Sequence, residues 1–355
     1  MTTVYLIRHA EAEGNLYRRC HGHYNSTVTA RGYRQIAALA GRFAHEHFDA
    51  VYSSDRTRTQ TTALAIARVH DLPLRTDPRL REIGVGPWED RTWTWLGKFD
   101  RERLVQFNTR IAQWHVDGGE DMAVVRERTL AALRDIIAAH PDQTVAVVSH
   151  GMALRTLTGT LQGLSLEDLD RTGHAENTAV TKLEADGEDD IRVVYRDDAT
   201  HLPEELTTLH RQLWTKTKNG LEPGIWFEPD GSAEGRFRVV REDEYVGAVA
   251  VKRGESGVAE IEEFRLDEAI RGRGLGIRLI GQAISYARPL GCDTLRVEAP
   301  KNDAAALRRA AQYGFSAAGE TPQSVALDLY FGNDERYRRA RFDEAWAEWN
   351  EKNDG

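Results

Sequence analysis

Two short apolar runs that end in polar, histidine-containing clusters constrain the fold of this chain more than any other feature. Residues 4–7 lead into Arg8 and His9, and residues 145–149 lead into His150. Short apolar runs bounded by polar residues predict buried strands of a parallel sheet. Ligands bind at the carboxyl ends of the strands in open α/β sheets, so we expect both histidines to lie at one shared site.

The first part of the chain alternates strand-like and helix-like stretches, a pattern typical of a doubly wound sheet with helices on both faces. Strands are predicted at residues 4–7, 50–53, 145–149, 178–184 and 191–195. Helices are predicted at residues 29–47, 58–70 and 124–139, where apolar residues recur at helical spacing. The sequence therefore predicts a three-layer α/β/α domain over residues 1–202.

A second unit follows the polar break at Pro203, and its elements come in a different order. Residues 203–220 are predicted to form a helical connector, and residues 221–333 an α+β domain in which antiparallel strands come first. Its strands are predicted at residues 236–241, 245–252, 259–266, 294–298 and 324–330, and its helices from Gly274 and over residues 303–312. The tail, residues 334–355, is predicted to be a docked amphipathic helix.

Size and charge limit the classes of function that this chain can have. A chain of 355 residues exceeds what one hydrophobic core usually serves, which predicts two domains. A formal net charge of −9 argues against binding to nucleic acid or to an anionic membrane. Cys20 and Cys292 are too far apart for a zinc knuckle or a redox pair, and no leader or spanning segment is evident. We therefore expect a cytoplasmic protein.

The first polar clusters contain the groups needed for phosphoryl transfer without a metal. That chemistry needs fixed positive charge around the phosphoryl oxygens, a nucleophile and a proton donor for the leaving group. Arg8, Arg58 and His150 offer charge, His9 offers a nucleophilic imidazole, and Glu82 offers an acid. These residue types alone do not decide which histidine attacks.

Residues 1–202 resemble the histidine phosphatase superfamily, which includes phosphatases and phosphoglycerate mutases. The resemblance rests on four clusters in order: Arg8-His9-Ala10-Glu11 with Asn15, Ser53-Ser54-Asp55 with Arg58, Glu82, and Ser149-His150-Gly151. Ala10 stands where the family usually has glycine.

The resemblance implies a catalytic role for each of these side chains. His9 would accept the phosphoryl group as a phosphohistidine that water then hydrolyses, without a metal or cofactor. Arg8, Arg58 and His150 would hold the phosphoryl oxygens, with Asn15 assisting. Glu82 would protonate the leaving group and later activate water. We favour a phosphatase, because nothing in the sequence indicates the retention of phosphate that a mutase needs.

Aromatic residues are concentrated between Glu82 and Glu120. They form either a lid over an apolar or planar substrate or ordinary core packing. The residues concerned are Trp88, Trp93, Trp95, Phe99, Phe107 and Trp114.

A glycine cluster in the second unit predicts an anion site of its own. Arg271-Gly272-Arg273-Gly274-Leu275-Gly276 precedes a predicted helix, and glycines at a helix N-terminus let a pyrophosphate approach the free amides. The competing interpretation, a dinucleotide fingerprint, needs another glycine spacing and a preceding parallel unit.

With the preceding antiparallel strands and the segment from Asn302 to Phe315, this cluster resembles the GNAT family of acetyl-CoA-dependent N-acetyltransferases, over about residues 221–333. The resemblance implies that acetyl-CoA binds the glycine turn and the strand before it. The implied contacts are Phe264, Leu266, Arg271, Gly272, Arg273, Gly274, Gly276 and Asn302.

The proton-transfer groups of this second site are less clear. Glu260 is the predicted base, with Glu262 or Glu263 as alternatives acting through water. Arg309 stands where the family often has a tyrosine acid, and Tyr313 lies farther along, displaced from that role.

The sequence thus predicts a bifunctional enzyme, a phosphatase fused to an N-acetyltransferase, whose two sites could serve one metabolite carrying a phosphate and an amine. Two alternatives stay open. The second domain could sense acetyl-CoA and regulate the phosphatase without catalysis, or the first could be a mutase-type phosphotransferase. The substrates, the order of the reactions and the oligomeric state do not follow from the sequence.

Overall fold

The N-terminal part of the chain forms a six-stranded sheet in the computed structural model, which describes residues 1–212, 217, 219–221 and 223–353. The strands are β1 (Thr2–Arg8), β2 (Ala50–Ser53), β3 (Leu74–Thr76), β4 (Thr144–Ser149), β5 (Val180–Ala185) and β6 (Ile191–Asp198). Their spatial order is β3-β2-β4-β1-β5-β6. β1 and β4 are therefore neighbours although most of the domain separates them in sequence.

The pairing of β1 with β4 brings the two histidine clusters together. The two strands are parallel, and their register places Arg8 opposite Ser149, so His9 and His150 leave the sheet side by side. After β1 the chain continues to β2, which lies on the β4 side of β1. After β4 it continues to β5, which lies on the opposite side of β1. This reversal is the switch point at which open α/β sheets bind ligands.

Helices cover both faces of this sheet. They are α1 (Glu13–Tyr17), α2 (Ala30–Phe43), α3 (Thr57–Ala67), α4 (Trp93–Phe99), α5 (Arg101–Thr109), α6 (Met122–Ala139) and α7 (Gly151–Leu161). Because successive side chains of a strand point to opposite faces, Tyr5 and Ile7 pack with α2 and α3, whereas Val4 and Leu6 pack with α6 and α7. The predicted three-layer α/β/α class is confirmed.

Three features of this sheet and its surroundings were not predicted from the sequence. β5 and β6 run antiparallel to their neighbours, which extends a parallel centre with an antiparallel edge. The short strand β3 and the helices α1, α4 and α5 were not predicted, because elements of three to nine residues carry too little hydrophobic periodicity.

The C-terminal part forms a seven-stranded sheet in the order β12-β13-β11-β10-β9-β8-β7. Its strands are β7 (Trp226–Pro229), β8 (Arg236–Arg241), β9 (Glu244–Arg253), β10 (Val258–Leu266), β11 (Thr294–Pro300), β12 (Ser316–Glu320) and β13 (Ser324–Tyr330), of which β7 and β12 were not predicted. Glu242 and Asp243 join β8 to β9 with positive φ at both positions, as a two-residue hairpin turn requires.

Two helices lie against this sheet, α8 (Gly276–Ala287) and α9 (Ala304–Gln312), in the predicted α+β arrangement. β10 and β11 are parallel, but their ladder joins only residues 258–260 to residues 294–296. Their carboxyl-terminal halves are not paired with each other. The divergence leaves an open edge of β10 directly before the glycine cluster.

The segments around the domains include one misplaced element. Residues 204–218 were expected to be helical. The structure has short 3-10 turns at Glu204–Leu206 and Leu209–Arg211, and residues 213–216 and 218 lie outside the described part. The tail forms α10 (Glu335–Asn353), which packs on α2 with Phe342 fully buried. Among the described residues, no helix is long and apolar enough to cross a membrane.

Candidate active sites

A cavity of about 150 Å³ opens at the carboxyl ends of β1 and β4. Five of the six side chains predicted for the first site line it: Arg8, His9, Asn15, Arg58 and Glu82. The sixth, His150, lies behind His9, with ring centroids 5.3 Å apart.

One hydrogen bond sets the tautomer of His9. The imidazole Nδ1 lies 2.7 Å from the backbone oxygen of Ala10. A carbonyl oxygen can only accept, so Nδ1 carries the hydrogen and donates it. The other nitrogen, Nε2, then has a free lone pair, which is what a nucleophile needs.

His9 is only 6% exposed, and its surroundings keep the ring neutral. Burial lowers the pKa of His9 well below its usual range, and the guanidinium charges of Arg58 and Arg8 lower it further. At neutral pH the imidazole is therefore uncharged, with a single hydrogen on Nδ1, while the positive charges of the two arginines lie beside it. That combination suits attack on a phosphoryl group.

The two arginines are held by backbone oxygens rather than by carboxylates. Arg58 donates to the carbonyls of Gly22 at 2.7 Å and Tyr24 at 2.8 Å, and Arg8 donates to that of Ala175. Burial lowers the pKa of Arg58 to about 10, so it stays charged at neutral pH. The Nε atom of Arg8 is buried and has no hydrogen-bond partner among the described residues.

Gly151, the first residue of α7, permits the close approach of Arg8 to that helix. A methyl group on Gly151 would lie 3.3 Å from the Nε atom of Arg8. The unpaired guanidinium hydrogen therefore lies near the N-terminus of α7, where the amides of Met152 and Ala153 bind the Glu82 carboxylate.

His150 is fully buried, and its Nε2 lies 3.0 Å from the hydroxyl of Ser54. Its Nδ1 has no partner among the described residues. Burial lowers the pKa of His150 well below the usual value, and the charge of Arg58 contributes. A neutral His150 can donate one hydrogen bond to a phosphoryl oxygen but adds no charge.

Glu82 caps the helix that follows His150. One carboxylate oxygen accepts from the amide of Met152 at 3.0 Å, and the other accepts from those of Ala153 at 2.9 Å and Ile83 at 3.0 Å. Met152 and Ala153 are in the first turn of α7. These bonds fix the carboxylate at the edge of the cavity.

The structure adds side chains to this cavity that the sequence did not single out. Arg18, Asn108, His174 and Gln212 line it, and Gln212 bridges to Arg18 at 3.0 Å. They come from α1, α5 and two loops far apart in sequence, so no local pattern unites them. Asn15 uses its side-chain oxygen to cap α1, accepting from the amide of Ala12 at 3.1 Å.

Some of the aromatic residues between Glu82 and Glu120 belong to the core, and others line the cavity. Trp88 and Trp114 are fully buried with rings 5.3 Å apart and belong to the core. Trp93 and Phe107 line the cavity, and Phe99 is exposed.

The glycine cluster has the features of an anion-binding turn. Gly272 and Gly274 have φ values of 76° and 72°, and a methyl group on either would meet nothing within 4 Å. Leu275 precedes α8 without a side-chain cap, so the first amides of the helix are left to an outside acceptor. Arg271 donates to the carbonyl of Leu266 at 2.7 Å and braces the turn.

The other predicted contacts of this second site are spread over a wider area. Phe264 is 41% exposed on the open edge of β10, whereas Leu266 is buried and Arg273 exposed. Asn302 is exposed and lies directly before Asp303, which caps α9. No contact joins Asn302 to the glycine turn within the described part of the chain.

The predicted bases have different surroundings. Glu260 lies in the paired half of β10, opposite Lys252 of β9 and Arg296 of β11. Glu262 is exposed, and Glu263 is held by Arg236 at 2.9 Å, whose hydrogen bond lowers the pKa of Glu263.

Tyr313, which the sequence placed outside the site, lies beside the glycine turn. A methyl group on Gly276 would lie 2.9 Å from its hydroxyl and 3.9 Å from the ring of Phe264. Burial raises the pKa of Tyr313, so the phenol keeps its proton at neutral pH. This side chain is the nearest proton donor to the start of α8 that the structure identifies.

Helix α8 also contacts the wall of the first cavity. Arg19, which lines that cavity, donates to Asp90 at 2.6 Å and to Ser285 of α8 at 2.8 Å. Directly after α8, Arg288 forms a double ion pair with Glu13 of α1 at 2.8 and 2.9 Å. The contact between α8 and α1 thus connects the predicted acetyltransferase site to the predicted phosphatase cavity.

Comparison with known families agrees with this division of the chain. The model of the histidine phosphatase superfamily (branch 1) matches residues 4–198. The model of the acetyltransferase (GNAT) family matches residues 201–315.

Individual relatives match the N-terminal part. A probable phosphoglycerate mutase, GpmB of Yersinia pestis, is 37% identical over 164 residues, which cover 46% of this chain and 76% of that protein. The structure of YhfR from Bacillus stearothermophilus matches with a TM-score of 0.55 and 31% identity, over 57% of this chain and 99% of that one. A mycobacterial glucosyl-3-phosphoglycerate phosphatase shares the fold, with a TM-score of 0.51 and 24% identity over 56% of this chain and 99% of that one.

Proposed function

The chain belongs to the histidine phosphatase superfamily (branch 1), and on that basis we propose that its first cavity hydrolyses phosphomonoesters through a phosphohistidine on His9. The C-terminal domain, of the GNAT family, would acetylate a small amine with acetyl-CoA. We place the phosphatase domain at residues 1–202, a connector at 203–220, the acetyltransferase domain at 221–333 and a tail at 334–355. Free, buried Cys20 and Cys292 are consistent with a reducing cytoplasm.

The observation that carries this proposal is the state of His9. Its Nδ1 donates to Ala10, its ring is neutral, and two guanidinium groups stand next to it. This arrangement depresses the pKa of His9 and, with the hydrogen on Nδ1, makes Nε2 the nitrogen whose lone pair can attack phosphorus.

The reaction follows in two balanced steps. Nε2 of His9 attacks phosphorus, the bond from phosphorus to the ester oxygen breaks, and the protonated form of Glu82 gives that oxygen its proton and becomes a carboxylate. Water then attacks the phosphohistidine, Glu82 takes a proton from it, and inorganic phosphate leaves as His9 is restored. Arg8 and Arg58 carry the charge that balances the phosphoryl oxygens in both steps, and His150 donates a hydrogen bond.

The cavity suits a small polar phosphomonoester. Beyond the phosphoryl cage it presents Arg18, Asn108 and Gln212, with Trp93 and Phe107 as its flat walls. Hydrolysis is our first choice and transfer of phosphate within one substrate the second, since relatives are named for both activities. A mutase would move phosphate between oxygens of one molecule, whereas a phosphatase would release it.

The residues of the second site fit acetyl-CoA. The open amides after Leu275 and the glycines at positive φ would hold the pyrophosphate, and the unpaired edge of β10 near Phe264 would hold the extended arm. When bound, acetyl-CoA supplies an activated acetyl thioester. We propose Tyr313 as the proton donor near the start of α8 and Glu260 as the base that takes a proton from the amine, with Glu262 or Glu263 as alternatives.

Two readouts on the full chain test this division of labour. We expect His9→Asn to abolish phosphate release and to leave thiol release from acetyl-CoA unchanged. Gly274→Glu, which puts a carboxylate where the pyrophosphate would bind, should do the reverse. Phosphate release that survives His9→Asn would contradict the proposal.

The same assay separates the remaining alternatives. A single metabolite that loses phosphate and gains an acetyl group, detected by mass spectrometry, would support a shared substrate. A phosphatase rate that changes with acetyl-CoA while no acceptor is acetylated would favour the sensing role instead.

A further inference from the structure

Another cavity, distinct from the phosphatase cavity, lies where the two domains and the tail helix meet, and Tyr313 of the second site forms part of its wall. Its volume is about 130 Å³, and its walls come from α1 and α2, from the ends of α9 and β13, and from α10. We call it the junction cavity. It shares no lining residue with the phosphatase cavity, although Gly14 and Asn15 of α1 line one and Glu13 and Leu16 line the other.

The carboxylates in the junction cavity already have partners. Glu11 is 2% exposed, accepts from Thr29 at 2.7 Å and pairs with Arg31 at 3.1 Å. Glu13 is neutralised by the double ion pair with Arg288. Neither carboxylate is available to balance further positive charge.

Two arginines of the cavity, Arg34 and Arg338, form no ion pair with a carboxylate among the described residues. The Nε atom of Arg338 is buried and has no hydrogen-bond partner, and one terminal nitrogen makes only a 3.4 Å contact with Thr61. Burial lowers the pKa of Arg338, which marks a desolvated charge. Arg34 lines the same cavity and has no ion pair in the described part of the chain. A partly buried guanidinium without an ion pair, with a second arginine at the same cavity, favours the binding of an anion.

Several aromatic side chains also line the cavity. Tyr330 and Tyr337 stand with ring centroids 4.3 Å apart, and Tyr33 and Phe331 also line the cavity. A protein cavity of about 150 Å³ is large enough to hold one benzene ring. The junction cavity is slightly smaller, so one ring would fill it and a small anionic group on that ring would extend toward the exposed Arg34.

We propose that the junction cavity binds a small aromatic carboxylate, with the carboxylate between Arg34 and Arg338 and the ring against the tyrosines. A guanidinium matches a carboxylate with two parallel hydrogen bonds, and the aromatic walls accept the ring by stacking. Such a ligand would contact both domains and α10 at once.

Calorimetric titration of the full chain with 4-hydroxybenzoate tests the proposal. We expect saturable one-to-one binding, and weaker binding by about tenfold or more in Arg338→Met and in Arg34→Met, since each removes a charged hydrogen-bond partner. Arg336→Met is the matched control, because Arg336 is exposed on the same helix and does not line the cavity. Arg34 is exposed, so its variant reports on binding even if Arg338→Met unfolds the tail.

Three further probes decide the outcome. Benzyl alcohol, which has the ring without the charge, should bind at least about tenfold more weakly. Saturating inorganic phosphate and saturating acetyl-CoA should leave the affinity for 4-hydroxybenzoate unchanged. Equal binding by Arg34→Met and wild type, or loss of binding when phosphate or acetyl-CoA is present, would overturn the proposal.

Discussion

At the scale of single residues, the chemistry of the first site depends on how buried cations are held. Arg58 donates its terminal hydrogens to the carbonyls of Gly22 and Tyr24 and forms no ion pair with a carboxylate among the described residues. Arg56, two positions earlier, is instead paired with Asp55 at 2.9 Å and does not line the cavity. Neighbouring arginines thus have opposite roles, which their sequence context does not distinguish.

This contrast gives a matched pair of substitutions. We expect Arg58→Met to lower kcat/KM for phosphomonoesters by about 10²–10³, the usual effect of removing one preorganised donor to a developing anion. Arg56→Met should change it by less than about threefold, since a partly exposed ion pair contributes little. Steady-state kinetics with one substrate would check both values. Similar losses in the two variants would mean that the overall positive charge near the cavity, rather than the specific position of Arg58, supports the reaction.

At the scale of elements, the packing of α1 against α8 joins the phosphatase cavity to the acetyltransferase domain. Gly281 of α8 lies against Tyr17 of α1, and a methyl group there would come within 2.5 Å of the Cβ atom of Tyr17. The same short helix presents Asn15 to the cavity. Any separation of α1 from α8 should therefore weaken the binding of the phosphomonoester substrate.

Gly281→Ala tests this contact. Alanine favours a helix over glycine by about 1 kcal/mol, but here the added methyl should force α1 and α8 apart and destabilise the protein by about 1–3 kcal/mol. We also expect KM for the phosphomonoester to rise. Gly97→Ala in α4 is the control, because the added methyl would make only ordinary contacts, at 3.7 Å, with Leu104 and Leu221. Chemical unfolding should show a lower free energy of unfolding than wild type for Gly281→Ala and a higher one for Gly97→Ala. A Gly281→Ala variant as stable as wild type would refute tight packing at Gly281.

Element-level patterns explain why parts of the sites were predictable and others were not. Arg8, His9 and His150 follow apolar strands, and the parallel register of Arg8 with Ser149 brings them together. The match of residues 4–198 and 201–315 to the two families confirms the predicted fusion. Gln212 and Tyr313 were missed because they reach their positions through tertiary packing, which hydrophobic periodicity does not encode.

At the scale of the whole molecule, folding keeps several buried or half-buried histidines uncharged. Burial lowers the pKa of His201 to about 4, and it lowers those of His9 and His150 well below the usual range. Once unfolded, each would titrate near 6.5. Below that pH the unfolded state binds more protons, so the free energy of unfolding must fall as the pH falls.

Urea unfolding at pH 7.5, 6.5 and 5.5 would measure this linkage. Each of these histidines should remove about 1.4 kcal/mol of stability per pH unit below its ordinary pKa. His201→Asn should make the pH dependence shallower, whereas His47→Asn should not, since the His47 side chain is 82% exposed. An unchanged slope in His201→Asn would show that its proton affinity is the same in both states.

The account rests on a phosphoryl group passing through His9, and a rapid-quench experiment tests that most directly. Full-length protein would be mixed with a phosphomonoester labelled in its phosphate, quenched in alkali within milliseconds, and digested for mass spectrometry. We predict a transient phosphohistidine on the peptide that contains His9, formed before phosphate is released and absent from His9→Asn. Label found on another residue, or phosphate release with no labelled peptide at any time, would contradict the mechanism.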